Sequence, residues 1–256
     1  MSNYDRFTSA RNGAGVARSG TGAIDQGLRA YMLGVYNYMT LGLGVTGLVS
    51  LGAYLASAPV FVGKHLVSVN GFGQALYFSP LRWVVIFAPL LIVFGLSAGR
   101  DRMSVGAARL TFLAFSALMG LSLSTVFLVY TGVSIANVFF ITAASFAALS
   151  LYGYTTRRDL SAMGSFLIMG VFGLIIAGLV NLFLHSSGLQ FAISVLGVGI
   201  FSGLTAYDTQ SIKANYYAGG YGEVAEKKSI FGALTLYLDF INMFQFLLML
   251  FGDRRN

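Results

Sequence analysis

Long apolar runs separated by short polar breaks dominate the sequence from residue 31 onward. Most of these runs are close to the ~20 residues that a helix needs to cross a hydrocarbon core about 30 Å thick. Lipid offers the backbone no hydrogen-bond partners, so each run must close its own hydrogen bonds as a helix. The pattern predicts seven spans at approximately residues 31–57, 82–98, 106–130, 135–155, 163–184, 189–211 and 229–251.

These spans define the domain organisation. Residues 1–30 mix small and polar residues with arginines and cannot bury enough apolar area to offset the entropy of ordering, which predicts a disordered cytoplasmic tail. Residues 31–252 form one transmembrane domain, and residues 253–256 form a short C-terminal tail. The predicted fold class is an all-α integral membrane protein, a seven-transmembrane-helix bundle.

Small residues recur at four-residue spacing on the first and third spans. At this spacing they lie on one helix face and let two helices approach closely. The residues concerned are Gly42, Thr46 and Ser50 on the first span and Ser116, Gly120 and Ser124 on the third.

Composition excludes several classes of function. Hydrophobic residues make up 56% of the chain and charged residues only 10%, which is too little polar surface for a soluble globule, so the lipid bilayer is the expected partner. The chain has no cysteine, and both histidines, His65 and His185, fall in predicted loops. Thiolate chemistry and a serine–histidine dyad within the membrane are therefore not expected.

The placement of positive charge predicts the orientation. The net charge is +7, but the basic residues lie in the tail and in short loops, so we expect no nucleic-acid partner. Lys and Arg number twelve on the side of the N-terminus and four on the other side of the seven spans. The positive-inside rule then puts the N-terminus in the cytoplasm and the C-terminus outside.

Two acidic residues stand out because they lie within apolar spans. Asp208 is near the cytoplasmic end of the sixth span, and Asp239 is about ten residues into the seventh, ~15 Å deep at 1.5 Å per residue. An ionised carboxylate at that depth costs at least ~2.5–3.5 kcal/mol and needs a partner, water or a proton. We therefore hypothesise that Asp239 has a functional role.

Polar neighbours support this hypothesis. Thr235 and Asn242 share a helix face with Asp239, and Thr205 lies three residues before Asp208. Consecutive antiparallel spans normally pack side by side. If their polar stripes face each other, the two carboxyls could share one proton and titrate as a unit. The alternative is that Asp208 ends a helix at the interface while Asp239 is a neutral packing residue.

The loop between the second and third spans carries Arg100 and Arg102 on the same side as Asp208. Either arginine could reach the carboxyls and hold the bundle shut through a charge-assisted hydrogen bond. The alternative is an ordinary basic loop on the cytoplasmic side.

Three motifs resemble one known family. Tyr207–Gln210 and Ala233–Asn242 look like the sixth- and seventh-span signatures of the transmembrane Bax inhibitor motif family, and Tyr154–Leu160 resembles the basic turn after its fourth span. The resemblance runs from about residue 29 to the C-terminus and is greatest to the bacterial inner-membrane branch.

The resemblance implies a seven-helix bundle around a central last helix, acting as a pH-sensitive calcium leak in the bacterial inner membrane. It makes Asp208 and Asp239 the proton sensor and the metal ligands, and Arg100 the latch. Here Asp101 follows Arg100 directly and Arg102 lies beyond it, so the choice between the two arginines stays open.

The leading hypothesis is a cation leak, not an enzyme, with no tightly bound cofactor and Ca²⁺ held weakly by two carboxylates. Calcium or protons are then its partners. One alternative is a non-conducting regulator of a membrane protease or another partner. A less favoured alternative is an intramembrane aspartyl protease. Such enzymes resemble one another in a proline-containing motif after the second aspartate, and this chain lacks it because its last proline is Pro89.

Overall fold

The computed structural model describes residues 4–100, 102–217 and 222–255, with side chains described from residue 26 onward except at residues 97 and 217. Most of the described chain is helical, because apolar runs of this length satisfy their backbone hydrogen bonds locally. The elements in order are α1 (Tyr4–Ala56), β1 (Val60–Val62), β2 (His65–Ser68), α2 (Gly71–Gly73), a π-helical turn (Gln74–Phe78), α3 (Leu81–Gly99), α4 (Val105–Leu123), α5 (Val126–Val129), α6 (Gly132–Thr155), α7 (Ser161–Leu184), α8 (Ser187–Tyr217) and α9 (Glu223–Phe251).

The predicted membrane architecture is confirmed. Among the described residues, six helical segments are long and apolar enough to cross a membrane, and the number is seven if a bent pair counts as one span. That pair, Gly71–Phe78 and Leu81–Leu96, is bent by 60° and contains the predicted second span. The bend lies at Ser79, which is extended (φ −87°, ψ 169°) because it precedes Pro80.

The first helix begins earlier than the apolar pattern predicts. Residues 26–30, assigned to the tail from composition, continue α1, and Leu28 is only 4% exposed. The predicted start of the first span is therefore too late. The prediction of a disordered tail otherwise concerns residues whose side chains lie outside the described part of the chain.

Helix α9 lies at the centre of the bundle, as the family resemblance implies. It packs against α1, α4, α6 and α8. Leu236, Tyr237 and Met243 are fully buried on it. A helix that is apolar on nearly every face belongs in the interior, because its neighbours then shield it from lipid on all sides.

The small-residue faces of α1 and α4 pack against each other. The sequence predicted a close helix approach at these faces but not which helices meet. Gly120 lies so close to α1 that a Cβ atom there would be 2.6 Å from the carbonyl oxygen of Thr46. The hydroxyl of Thr46 donates to the carbonyl oxygen of Ser116 at 2.8 Å. Glycine and a small hydroxyl residue are thus what allow the two backbones to meet.

The two ends of the bundle differ. We call the end that carries Arg100 and the start of α9 the basic end. At the opposite end the C-terminal residues are tied down: Thr131 N donates to Asp253 O at 3.0 Å, and Arg255 N donates to Val129 O at 2.8 Å. Lys64, in the turn between β1 and β2, lies 3.3 Å from a carboxylate oxygen of Asp253.

Substitution of Gly120 by valine tests the close approach of α1 and α4. We expect Gly120→Val to cost at least about 1–3 kcal/mol through overpacking, which lowers the unfolding midpoint by roughly 2–4 °C per kcal/mol in a chain of this size. Gly106→Val on the same helix is the matched control, since nothing lies within 4 Å of a Cβ at Gly106. Thermal unfolding of both variants in detergent provides the measurement, and equal midpoints would contradict the packing argument.

Candidate functional site

The structure brings together the two acidic residues that the sequence singles out. Asp208 lies on α8 and Asp239 on α9, and these two helices pack side by side. The carboxyl groups lie close enough to each other to interact electrostatically. Asp239 is only 4% exposed, whereas Asp208 is half-buried. The predicted neighbourhood is therefore present, and the role assigned to the pair stays a prediction.

Two carboxyl groups this close together favour a shared proton. Carboxylate oxygens only accept hydrogen bonds, so the two groups could bond to each other only with one of them protonated. The Oδ2 atom of Asp239 is buried and receives no hydrogen bond from the other described groups of the protein. A proton between the two carboxyls avoids placing two negative charges in contact at this depth.

A cavity of about 270 Å³ leads from the basic end toward the pair. Asp208 lines it, together with Thr235, Arg100 and Lys228. Asp239 is not among its lining residues. Asp208 is therefore the member of the pair that faces the cavity, and Asp239 lies behind it in the packed interior.

The structure separates the two candidate latch residues. Arg100 lines the cavity, where its guanidinium lies 5.1 Å from the ring centroid of Phe231. It makes no ion pair with another described residue within 4 Å. Arg102 is exposed and does not line the cavity. Asp101, the acid that follows Arg100, lies outside the described residues.

The polar residues beside the aspartates bond to their own helices. The hydroxyls of Thr205 and Thr235 donate to the carbonyl oxygens of Phe201 and Phe231, at 2.8 and 3.2 Å. The amide of Asn242 likewise donates to a carbonyl four residues earlier, at 2.8 Å. Of the three, only Thr235 lines the cavity. Helix spacing predicted the shared face but not these partners, and a supporting role for the three residues stays a prediction.

One polar cluster was not found from the sequence. At the basic end Tyr38 donates to Glu226 at 2.8 Å, and Glu226 also forms an ion pair with Arg109. These contacts join α1, α4 and α9. The missed signal was Tyr38, since a tyrosine inside an apolar span needs a partner for its hydroxyl.

The donor set for a cation is sparse. Among the described residues, no group of three or more Asp, Glu, His or Cys side chains lies close enough to hold a metal ion. A Ca²⁺ ion prefers six to eight oxygen ligands. At the pair, Asp208 and Asp239 would supply only part of that shell, and water or backbone carbonyls would supply the rest.

Comparisons with known proteins agree with the resemblance. A family model described as "Inhibitor of apoptosis-promoting Bax1" matches residues 28–256. An uncharacterised Rickettsia prowazekii protein, RP147, is 49% identical over 232 residues, covering 91% of this chain and 93% of its own length. The Inner membrane protein YbhL of Escherichia coli K12 is 44% identical over 237 residues, covering 90% and 94%.

Infrared difference spectroscopy tests the shared proton. We expect the protein in lipid to show a protonated-carboxyl band that Asp239→Asn removes and that disappears as the pH rises and both groups ionise. Asp159→Asn is the control and should keep the band. Asp159 is exposed outside the spans, and hydrogen bonds from Ser161 lower the pKa of its carboxyl, so it is already ionised. A missing band in the wild type would contradict the shared proton.

Proposed function

We propose that this chain, which belongs to the Bax inhibitor family, is a multi-pass protein of a bacterial inner membrane that conducts a proton-controlled calcium leak. The observation that carries the proposal is the close pair of Asp208 and Asp239 at a cavity that Arg100 also lines. The E. coli relative is named an inner membrane protein, which supports the same location here.

The distribution of charge supports a cytoplasmic basic end. By the positive-inside rule, the side with twelve Lys and Arg residues faces the cytoplasm. In support, Lys64, which follows α1, contacts Asp253, which follows α9, so these two helices end at the same end of the bundle. This contact favours an odd number of crossings, which would leave the N-terminus in the cytoplasm and the C-terminus outside.

Deprotonation of the pair would create the cation site. With one proton shared, the site would carry a single negative charge. A hydrogen bond between the two carboxyls would then hold α8 and α9 together. Loss of that proton leaves two carboxylates in contact, which repel each other and attract a divalent cation. The sparse ligand set favours weak binding of a Ca²⁺ ion that keeps part of its water shell. Weak binding lets the ion leave the site again, as conduction requires.

The packed half of α9 would be the closed gate. Beyond Asp239, the side chains of Phe240, Met243, Phe244 and Leu248 are buried toward the opposite end. A hydrated ion does not cross such packing, so conduction requires α8 and α9 to separate. Repulsion between the two carboxylates provides a force in that direction.

Calcium flux into proteoliposomes tests the role of the pair. We expect flux to be low in acid and to rise with pH, because protonation removes the site. Asp239→Asn should lower flux at mildly alkaline pH by about tenfold, equivalent to ~1.4 kcal/mol of lost ion binding, and should abolish the pH dependence. Asp159→Asn, a matched loop change, should behave as wild type. Equal flux through wild type and Asp239→Asn would refute the proposal.

The same assay separates the two arginines. Arg100 lines the same cavity as Asp208, and pairing of its guanidinium with an ionised Asp208 would remove the site, so Arg100→Gln should raise flux at neutral pH. Arg102→Gln removes the same charge outside the cavity and should leave flux unchanged. If Arg102→Gln has the larger effect, the latch assignment to Arg100 is wrong.

A further inference from the structure

A second, larger cavity lies on the flank of the bundle, away from the aspartate pair. It has a volume of about 890 Å³ and lies between α1 and α6, with Phe240 of α9 also in its wall. We call it the α1–α6 groove. This volume falls within the range of roughly 300–1,000 Å³ that is usual for small-molecule sites.

The groove runs along the helices from the basic end to the middle of the membrane. On α1 its wall extends from Leu28 to Leu43, and on the antiparallel α6 it extends from Tyr154 back to Phe139. Sixteen positions of α1 correspond to about 22 Å at ~1.5 Å per residue. One leaflet of hydrocarbon is about 15 Å deep, so the groove is long enough for an acyl chain of the leaflet at the basic end.

The inner wall of the groove is apolar and well packed. The rings of Phe139 and Phe146 contact that of Phe240, with centroids 5.5 and 5.6 Å apart. The hydroxyls of Tyr36 and Ser150 are paired with each other at 2.6 Å, and Ser150 also pairs with Thr209 at 2.9 Å. These hydroxyls need no polar ligand, and the surface left for an occupant is hydrocarbon-like.

The mouth of the groove is cationic. Arg29 lines it at the basic end and is exposed. Tyr154 lines the same end, and the ammonium of Lys213 lies 4.8 Å from its ring centroid and donates to its carbonyl oxygen at 2.8 Å. A guanidinium and an ammonium at the membrane surface favour a phosphate, and arginine binds phosphate in a bidentate manner.

We propose that the α1–α6 groove is a binding site for one anionic phospholipid. An acyl chain lies along the apolar wall, and the phosphate lies between Arg29 and Lys213. The charge at the mouth selects an anionic headgroup over a zwitterionic one. This site is separate from the aspartate pair, so it does not depend on calcium conduction.

Native mass spectrometry of the full chain, released from nanodiscs of equal phosphatidylglycerol and phosphatidylethanolamine, tests the proposal. We expect the wild type to retain one phosphatidylglycerol. Ala147→Trp should lose it, because Ala147 lines the groove. Ala148→Trp is the matched control, since Ala148 is the next residue, is also exposed and does not line the groove.

A substitution of Arg29, the proposed headgroup ligand, tests the site without changing the packing of the groove. Arg29→Gln changes an exposed side chain and should lower retention of phosphatidylglycerol about fivefold, the usual effect of one basic residue near a membrane surface, while retention of phosphatidylethanolamine stays constant. Arg157→Gln removes an exposed charge outside the groove and should change neither.

Several outcomes would overturn the proposal. These are the absence of bound phospholipid in the wild type, equal retention of both lipids, equal loss in Ala147→Trp and Ala148→Trp, or a second copy of the chain bound in place of a lipid. Matching size-exclusion profiles of the tryptophan variants establish that a lost lipid does not reflect a lost fold.

Discussion

The burial of two carboxyl groups in contact is the constraint on which the rest of this structure depends. Asp208 and Asp239 could not both remain ionised within an apolar bundle without a large electrostatic cost. A proton shared between them would remove that cost and would let the two carboxyls form a hydrogen bond. Because the pair lies where α8 packs against α9, such a bond would couple the protonation of two side chains to the packing of two helices.

The remainder of the bundle keeps this pair in place. Helix α9 is surrounded by four other helices, which fixes the depth and the orientation of Asp239. Small residues allow the helices of the bundle to approach closely. At Gly153 of α6, for example, a Cβ atom would lie 2.1 Å from the carbonyl oxygen of Ala206 on α8. The cluster of Tyr38, Glu226 and Arg109 fastens the start of α9 to α1 and α4. The cavity at Asp208 interrupts this packing beside the pair.

The sequence predicted the spans and the acidic pair because both have strong physical signals. Apolar length determines which segments cross a membrane, and an acid such as Asp239 in the middle of a span is costly enough to be conspicuous. It did not predict the bend at Ser79, because the short segment Gly71–Phe78 before the bend is not an apolar run long enough to be recognised as part of a span. Nor did it predict that Thr205 and Asn242 bond to their own helices, because spacing gives the face of a residue but not its partner. The sequence also could not tell which of the two arginines lines the cavity, because that depends on the course of the loop in the folded protein.

The cavity at Asp208 would also determine where a membrane potential acts on this protein. If water fills it, the potential of the basic end extends inward to Asp208, which lines it, so little of the voltage drop would lie on that side. From residue 239 to residue 248, about 13 Å of buried α9 separates the pair from the opposite end. Most of the voltage drop would then fall across this segment, and moving one elementary charge through all of it is worth about 2.3 kcal/mol per 100 mV. The aspartate pair would thus lie at the edge of the region where the field is strongest.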